Sequence, residues 1–184
     1  MGSVGNRIGR RSWGPDLRIA GTAVLVLLLA GCGYRLAGGG EAIDPGLRTV
    51  FVETFANRTG EAHAEEIFRT AFIDRFVREG RFKLAGNRGE ADTLCRGTIL
   101  SLQTSSLAYK ASNLAAEERI TATLEIYFEQ RESGRVIWSD GAFTETADYP
   151  VATVGAREAE RKNALVKLAG GTAERAYRLM ISGF

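Results

Sequence analysis

The clearest pattern in the chain is a strict alternation of apolar and polar residues over residues 120–129. The apolar positions are Ile120, Ala122, Leu124, Ile126 and Phe128. Successive side chains of a strand point to opposite faces of a sheet, so this period of two predicts a strand with one buried and one wet face. The turn residues Glu132-Ser133-Gly134 then predict a hairpin, with a return strand over 135–146.

Two longer segments repeat their apolar residues every three or four positions, as amphipathic helices do. The first covers residues 62–79, and Gly80 follows it as a natural helix end. Its phenylalanines are expected to form core, although such a stripe could also line a lipid pocket. The second covers residues 155–181 and contains Gly170-Gly171, which predicts a kink or close packing on the sheet because glycine weakens a helix interior.

Three further segments, 49–55, 81–84 and 91–107, are predicted to be strands. The resulting order β-α-β-β-β-β-α predicts an α+β fold. We expect a two-layer sandwich, in which a mostly antiparallel sheet of four to five strands carries two helices packed on one face. Because the outward residues of 120–129 are polar, the other face of the sheet is expected to be open to water.

The start of the chain has the pattern of a secretory signal. Several arginines precede an apolar run over residues 19–30, which is far shorter than the ~20 residues of a membrane span. The sequence Leu29-Ala30-Gly31-Cys32 resembles the bacterial lipobox, in which the cysteine thiol receives a diacylglycerol, the chain is cut before the cysteine and the new amine is acylated. Gly33 stands where an aspartate would favour the inner membrane, so the outer membrane is the expected destination.

These features predict three parts. Residues 1–31 are the cleaved leader, residues 32–47 are the lipidated Cys32 with a flexible, glycine-rich tether, and residues 48–184 are a single α+β domain. The leader holds four of the 24 basic and one of the 22 acidic residues, which leaves 20 against 21 in the mature chain. A nearly neutral domain lacks the basic footprint of a nucleic-acid-binding protein, so that class is excluded.

The mature chain is poor in the residues that carry catalysis. Cys95 is its one thiol besides Cys32, and it is expected to be a small buried hydrophobe. His63 is the one histidine, so neither a cysteine–histidine pair nor a metal site is indicated. We predict a non-enzyme with no metal and no cofactor other than the covalent lipid on Cys32.

Five stretches, taken in chain order, resemble the LptE family of lipopolysaccharide-assembly lipoproteins. They are CGYRL at 32–36, TVFVETFANRTGE at 49–61, ADTLCRGTILSLQTSSLAY at 91–109, GRVIWSD at 134–140 and DYPVATVGAREAERKNAL at 148–165. The resemblance implies a non-catalytic lipoprotein of the outer membrane that faces the periplasm. It also implies a 1:1 heterodimer with an LptD-type barrel, in which the lipoprotein plugs the lumen, supports barrel assembly and helps deliver lipopolysaccharide to the outer leaflet.

Lipopolysaccharide binding needs cations opposite the lipid A phosphates. The resemblance implies two: Lys110, in the loop after strand 91–107, and Arg157, near the start of the last helix, both expected at one end of the sheet. Both could instead be solvated loop charges, and the neighbouring Glu117-Glu118 would weaken phosphate attraction. The alternative function is a free-standing, periplasm-facing lipoprotein that binds a lipid or cell-wall ligand, which would need an enclosed apolar pocket.

Overall fold

The structure is a computed structural model that describes residue 2 and residues 43–109, 115–151 and 155–182. Its elements are β1 (Thr49–Val52), β2 (Ala56–Asn57), α1 (Ala64–Glu79), β3 (Lys83–Leu84), β4 (Thr93–Tyr109), β5 (Ala115–Gln130), β6 (Val136–Pro150) and α2 (Arg157–Ser182). Cys32 and Lys110 lie outside the described residues. The proposed boundaries of leader, tether and domain therefore stay predictions.

The strands form one sheet in the order β3-β1-β4-β5-β6, and β2 pairs with β4. The long strands β4, β5 and β6 are antiparallel, whereas β1 pairs in parallel with both β3 and β4. The α+β fold, with both helices against a mostly antiparallel sheet, is confirmed. The sheet has six strands rather than four or five because the chain pairs with β4 again at β2, just beyond the first predicted strand at 49–55.

Strand β1 ends at Val52, before the predicted end of the strand, and Phe55 explains why. Continued alternation would place Thr54 in the core and Phe55 outside, yet Thr54 is exposed and Phe55 is buried. The Phe55 ring lies 5.1 Å from that of Phe72 on α1. It also covers Gly97 of β4, where an added Cβ would lie 2.6 Å from Cδ1 of Phe55. Burying this ring stabilises the domain by about 1.5–3 kcal/mol.

The phenylalanine stripe of α1 is core, as expected. Phe76 is 1% exposed and contacts both layers, with its ring centroid 6.0 Å from Phe128 of β5 and 5.3 Å from Tyr177 of α2. Helix α1 ends at Gly80, whose φ of 68° suits glycine and whose N–H donates to the carbonyl of Phe76. The predicted helix end is thereby confirmed.

Helix α2 is continuous through Gly170-Gly171. A Cβ built on Gly170 meets no described atom within 4 Å, and one on Gly171 meets the Glu145 side chain at 3.8 Å, an ordinary contact. Neither glycine is therefore required by close packing on the sheet, so that part of the prediction is wrong. Nothing in the structure explains the pair.

Candidate functional site

The face of the sheet turned away from the helices is the open face. The inward residues of β5 are fully buried, whereas the outward ones are only partly covered. Those outward residues are Thr121, Thr123, Glu125, Tyr127 and Glu129. The predicted division of this strand into one buried and one wet face is confirmed.

The centre of the open face carries uncharged polar side chains. The strand register places Thr121 between Gln103 and Thr146, and Thr123 between Ser101 and Thr144. We call these six residues the hydroxyl patch: Ser101, Gln103, Thr121, Thr123, Thr144 and Thr146. Each is half-buried or exposed, so the patch is an accessible surface rich in hydrogen-bonding groups.

Charged groups on one side of the hydroxyl patch contact one another. The Arg96 guanidinium stacks 4.2 Å from the ring centre of Tyr127, and its Nη2 lies 3.2 Å from a carboxylate oxygen of Glu129. The hydrogen bond to Glu129 raises the pKa of Arg96. The Tyr127 hydroxyl donates to Glu125 at 2.6 Å, which raises the pKa of Tyr127.

On the other side of the patch, Arg119 of β5 faces Asp148 of β6. Its Nε and Nη2 donate to the two carboxylate oxygens of Asp148 at 2.6 and 2.8 Å. This bidentate geometry is the strong form of an arginine–carboxylate pair, and the hydrogen bonds from Arg119 lower the pKa of Asp148. Both sides of the open face are thus charged. Arg119 and Asp148 balance each other, whereas the other side holds one cation, Arg96, and two carboxylates, Glu125 and Glu129.

A buried carboxylate lies at the end of the sheet where β4 and β6 finish and β5 begins. Glu118 is 1% exposed. Its oxygens accept hydrogen bonds from the Tyr149 hydroxyl at 2.6 Å and from Nη2 and Nε of Arg157 at 2.5 and 3.2 Å. We call Glu118, Tyr149 and Arg157 the paired end.

Burial and hydrogen bonding oppose each other at Glu118. Burial alone raises the pKa of its carboxyl, but hydrogen bonds from Tyr149 and Arg157 favour the charged form. Together they outweigh burial and hold the pKa below its usual value. One turn further along α2, Arg161 lies 2.6 Å from Glu61, so the start of this helix is tied both to the sheet and to the loop before α1.

The remaining candidates for chemistry are spread apart. Cys95 is fully buried, as expected, and burial raises the pKa of its thiol far above the ordinary range. No group of three or more His, Cys, Asp or Glu is placed to hold a metal ion within the part of the chain that the structure describes. In that same part, no helix has both the length and the apolar character that crossing a bilayer requires.

The model of the LptE family, described as lipopolysaccharide-assembly, matches residues 47–180. The chain belongs to the LptE family. No curated protein matches it.

Solved structures share the fold of this LptE-family chain. A rare lipoprotein B from Shewanella oneidensis aligns with a TM-score of 0.50 at 15% identity, covering 72% of this chain and 94% of its own. A lipoprotein B from Nitrosomonas europaea aligns with a TM-score of 0.50 at 11% identity, covering 74% and 83%. A DUF330 protein from Xanthomonas campestris aligns with a TM-score of 0.51 at 14% identity, covering 74% and 85%.

Of the site residues implied by the LptE resemblance, the structure places Arg157. It is the first residue of α2 and lies at the paired end, as expected from the strand order. Its side chain is 56% exposed although it pairs with Glu118. Its role toward lipopolysaccharide stays a prediction, as do those of Lys110 and Cys32.

Sequence reasoning missed the buried role of Glu118 and treated it as a loop charge. A signal was present, because Glu118 continues the inward positions of β5 two residues before Ile120. The alternation therefore predicts an inward side chain at 118. An inward carboxylate needs a cation, and Arg157 supplies it from 39 residues away.

Proposed function

We propose that this LptE-family protein is a non-catalytic, lipid-anchored subunit that occupies the lumen of an LptD-type outer-membrane barrel. In this proposal the two proteins form a 1:1 heterodimer, and the lipoprotein helps deliver lipopolysaccharide to the outer leaflet. Family membership supports the role in lipopolysaccharide assembly. The observation that carries the lumenal position is the polar, hydroxyl-rich patch of the open face, flanked by the ion pairs Arg96–Glu129 and Arg119–Asp148.

The chemistry of the open face suits a water-lined channel. The interior of an outer-membrane barrel is polar, whereas the lipid-facing side of a membrane protein is apolar. Placing the hydroxyl patch against acyl chains would leave its donors and acceptors without partners, at about 1–3 kcal/mol for each group. Against a polar barrel wall, the same groups exchange water for protein hydrogen bonds at little cost.

The proposed anchor is Cys32 with its diacylglycerol and amide-linked acyl chain. More than one acyl chain is needed for stable membrane attachment, and this modification supplies three. Fifteen residues follow Cys32 before the proposed domain starts, and an extended chain of that length spans up to ~50 Å. The domain therefore has room to enter a barrel while its lipid stays in the surrounding leaflet.

We also propose that Arg157 contacts lipid A phosphate together with Lys110. Glu118 engages Nε and Nη2 of Arg157 and thereby fixes the guanidinium in place. Nη1 has no partner among the described residues, so it is available to donate to a phosphate oxygen. A guanidinium held by a buried carboxylate is pre-oriented, which reduces the entropy lost when the ligand binds.

The alternative, a free-standing lipoprotein, needs an enclosed apolar pocket. The two helices form a groove of about 520 Å³ between them, but charged residues line it, among them Glu66, Asp74 and Glu174. The phenylalanine stripe that could line such a pocket is packed into the core, with Phe68 and Phe72 fully buried. The polar open face offers no substitute for an acyl-binding cavity.

The lumenal position is tested by placing the photo-crosslinking residue p-benzoylphenylalanine at Thr123, in the hydroxyl patch, in cells that make the full chain. We expect a covalent adduct with the barrel protein, identified by mass spectrometry, and copurification of that barrel in a 1:1 ratio. The same residue at Glu132, in the hairpin turn beyond the patch, is the matched control and is expected to give less adduct. A chain that purifies alone and gives no barrel adduct from Thr123 contradicts the proposal.

The lipopolysaccharide contact is tested separately by comparing Arg157→Gln with Lys162→Gln. Both remove one cation from the first turns of α2, but Lys162 forms no ion pair within 4 Å among the described side chains. We expect Arg157→Gln to lower the amount of lipopolysaccharide that copurifies with the folded complex, and Lys162→Gln to leave it unchanged. Equal lipopolysaccharide in both variants contradicts a role for Arg157.

A further inference from the structure

Three cations lie together at the β1–β3 edge of the sheet, far in sequence from Lys110 and Arg157. Arg48, Arg81 and Lys83 line a surface groove of about 520 Å³, and we call these three residues the basic corner. The backbone brings them together, because the N–H of Lys83 donates to the carbonyl of Arg48 at 2.8 Å across the β1–β3 pairing. Arg81 donates from Nη2 to the carbonyl of Ile43 at 3.2 Å.

The basic corner differs from the paired end in having no carboxylate partner. Within the described ranges, no Asp or Glu oxygen lies within 4 Å of the charged atoms of Arg48, Arg81 or Lys83. The carboxylate of the nearby Asp92 is engaged elsewhere, since it accepts the backbone N–H groups of Arg48 and Thr49, each at 2.9 Å. All three cations are exposed, and their charge is therefore available to an anion.

The rest of the groove is apolar. Ile43, Pro45 and Leu47 line it beside the cations, and no acidic side chain does. A ligand that matches this surface carries a negative charge next to hydrocarbon. An anionic glycerophospholipid has that combination, with a phosphate beside a glycerol backbone and acyl chains.

The position of the groove points to a membrane as the source of such a ligand. The continuous described chain begins at Ile43, so the residues that carry the proposed anchor join the domain at this corner. Cys32 precedes Ile43 by eleven residues, which span at most ~40 Å when extended. In a domain tethered there, the residues of this groove include the described ones that follow the lipidated cysteine most closely along the chain.

We propose that the basic corner binds the phosphate group of an anionic glycerophospholipid in the leaflet that holds the anchor. The inference rests on the proposed anchor at Cys32, because that anchor brings the leaflet within reach. Three acyl chains already suffice for attachment, so the corner orients the domain on the membrane rather than holding it there. Juxtamembrane lysines and arginines each contribute roughly five-fold to attraction toward an anionic surface.

The test places p-benzoylphenylalanine at Pro45, an exposed residue of the groove, in the full acylated chain. The protein is reconstituted into nanodiscs of equal parts phosphatidylglycerol and phosphatidylcholine, irradiated, and analysed by mass spectrometry for lipid adducts. We expect phosphatidylglycerol adducts to exceed phosphatidylcholine adducts by about five-fold or more. The ratio is internal to each sample, so it does not depend on crosslinking yield.

The variant Arg48→Gln/Arg81→Gln/Lys83→Gln is expected to return the ratio to about one. The matched control is Arg58→Gln/Lys162→Gln/Lys167→Gln, which removes three cations that also form no ion pair within 4 Å among the described side chains. The control is expected to keep the preference, and circular dichroism of both variants verifies folding. The inference is overturned if the unaltered protein gives equal amounts of phosphatidylglycerol and phosphatidylcholine adducts, or no lipid adducts at all. It is also overturned if both variants lose the preference.

Flotation of the nanodiscs separates this inference from the proposed anchor. A chain that floats with discs made only of phosphatidylcholine is anchored, whatever the adduct ratio shows. A chain that floats only when phosphatidylglycerol is present contradicts the anchor and supports the corner. A chain that floats with neither composition contradicts both.

Discussion

The paired end and the basic corner are both rich in cations, but only the cations of the paired end form ion pairs with carboxylates. At the paired end Arg157 is bound by a buried carboxylate, and its neighbours Arg119 and Arg161 each bind another acid within 2.6 Å. At the basic corner the cations have exposed side chains, and the carboxylate of Asp92 accepts backbone N–H groups instead of pairing with them. A carboxylate partner, rather than the number of basic residues, therefore decides how much of a cation is committed to the fold. Arg157 has Nε and Nη2 bound by Glu118 and keeps Nη1 for a ligand, whereas no carboxylate binds the cations of the basic corner.

The largest expected effect comes from breaking the paired end. Arg157→Met keeps the length of the side chain but leaves Glu118 buried without its cation. Because the Tyr149 hydroxyl is then the remaining donor, we expect the free energy of unfolding to fall by about 1–3 kcal/mol. Urea denaturation of the full chain, followed by circular dichroism, measures this change.

Arg48→Met is the matched control at the basic corner. It removes the same charge and keeps a similar shape, but no carboxylate loses a partner. Surface substitutions of this kind change stability by less than about 0.5 kcal/mol. Equal losses in the two variants would show that the pairing with Glu118 contributes nothing to stability.

Acid is expected to weaken the paired end selectively. The pKa of Glu118 is lower in the folded protein than its usual value of 4.5, so the unfolded chain binds the proton more readily. The stabilisation is therefore fully present above about pH 4.5 and is lost as the pH falls through the folded pKa. We expect the free energy of unfolding to decrease more steeply from about pH 5 to pH 3 in the unaltered protein than in Glu118→Gln.

That comparison isolates one carboxyl from several. Asp92 and Asp148 also have lowered pKa values, because they accept hydrogen bonds from the backbone of Arg48 and from Arg119 respectively. Their contributions are common to both proteins and cancel in the difference. Parallel pH profiles for the unaltered protein and Glu118→Gln would assign the acid sensitivity to the other carboxylates.

Local periodicity was enough to predict the elements that dominate the fold. The alternation over 120–129 gives β5 with its correct faces, and the spacing of the phenylalanines gives α1 with its buried stripe. In both, each residue's position is set by neighbours two to four places away. The short first strand was harder, because Phe55 leaves the alternation to pack on Phe72, a contact that no local pattern reveals.

The two charged regions show where sequence reasoning stops. Arg48 and Lys83 become neighbours only because β1 and β3 pair in parallel, and the predicted antiparallel hairpins gave no reason to expect that pairing. The buried position of Glu118 could have been predicted, because the alternation of β5 places residue 118 on the inward face. Its partners could not, because Tyr149 and Arg157 come from 31 and 39 residues further along the chain.

A smaller effect is expected on the open face, where Arg119 binds Asp148 in full contact with water. Arg119→Met removes two hydrogen bonds, but both side chains are about 40% exposed and are solvated readily once separated. We expect a smaller loss than that of Arg157→Met, and one that shrinks as salt is added, because exposed pairs are screened. A loss as large as that of Arg157→Met would contradict the view that burial of the carboxylate sets the strength of these pairs.

The smallest effect on stability, and the sharpest use of the comparison, is expected from Lys83→Gln set beside Lys162→Gln. Each removes an exposed ammonium with no carboxylate partner in the described structure. The free energy of unfolding of both variants should therefore lie within about 0.5 kcal/mol of that of the unaltered protein. The two positions differ in what surrounds them, because Lys83 shares an apolar groove with two other cations. The ratio of phosphatidylglycerol to phosphatidylcholine adducts formed from position 45 should therefore fall in Lys83→Gln and not in Lys162→Gln. Urea denaturation should not distinguish the two variants. A stability loss confined to Lys83→Gln would instead show that the basic corner, like the paired end, serves the fold.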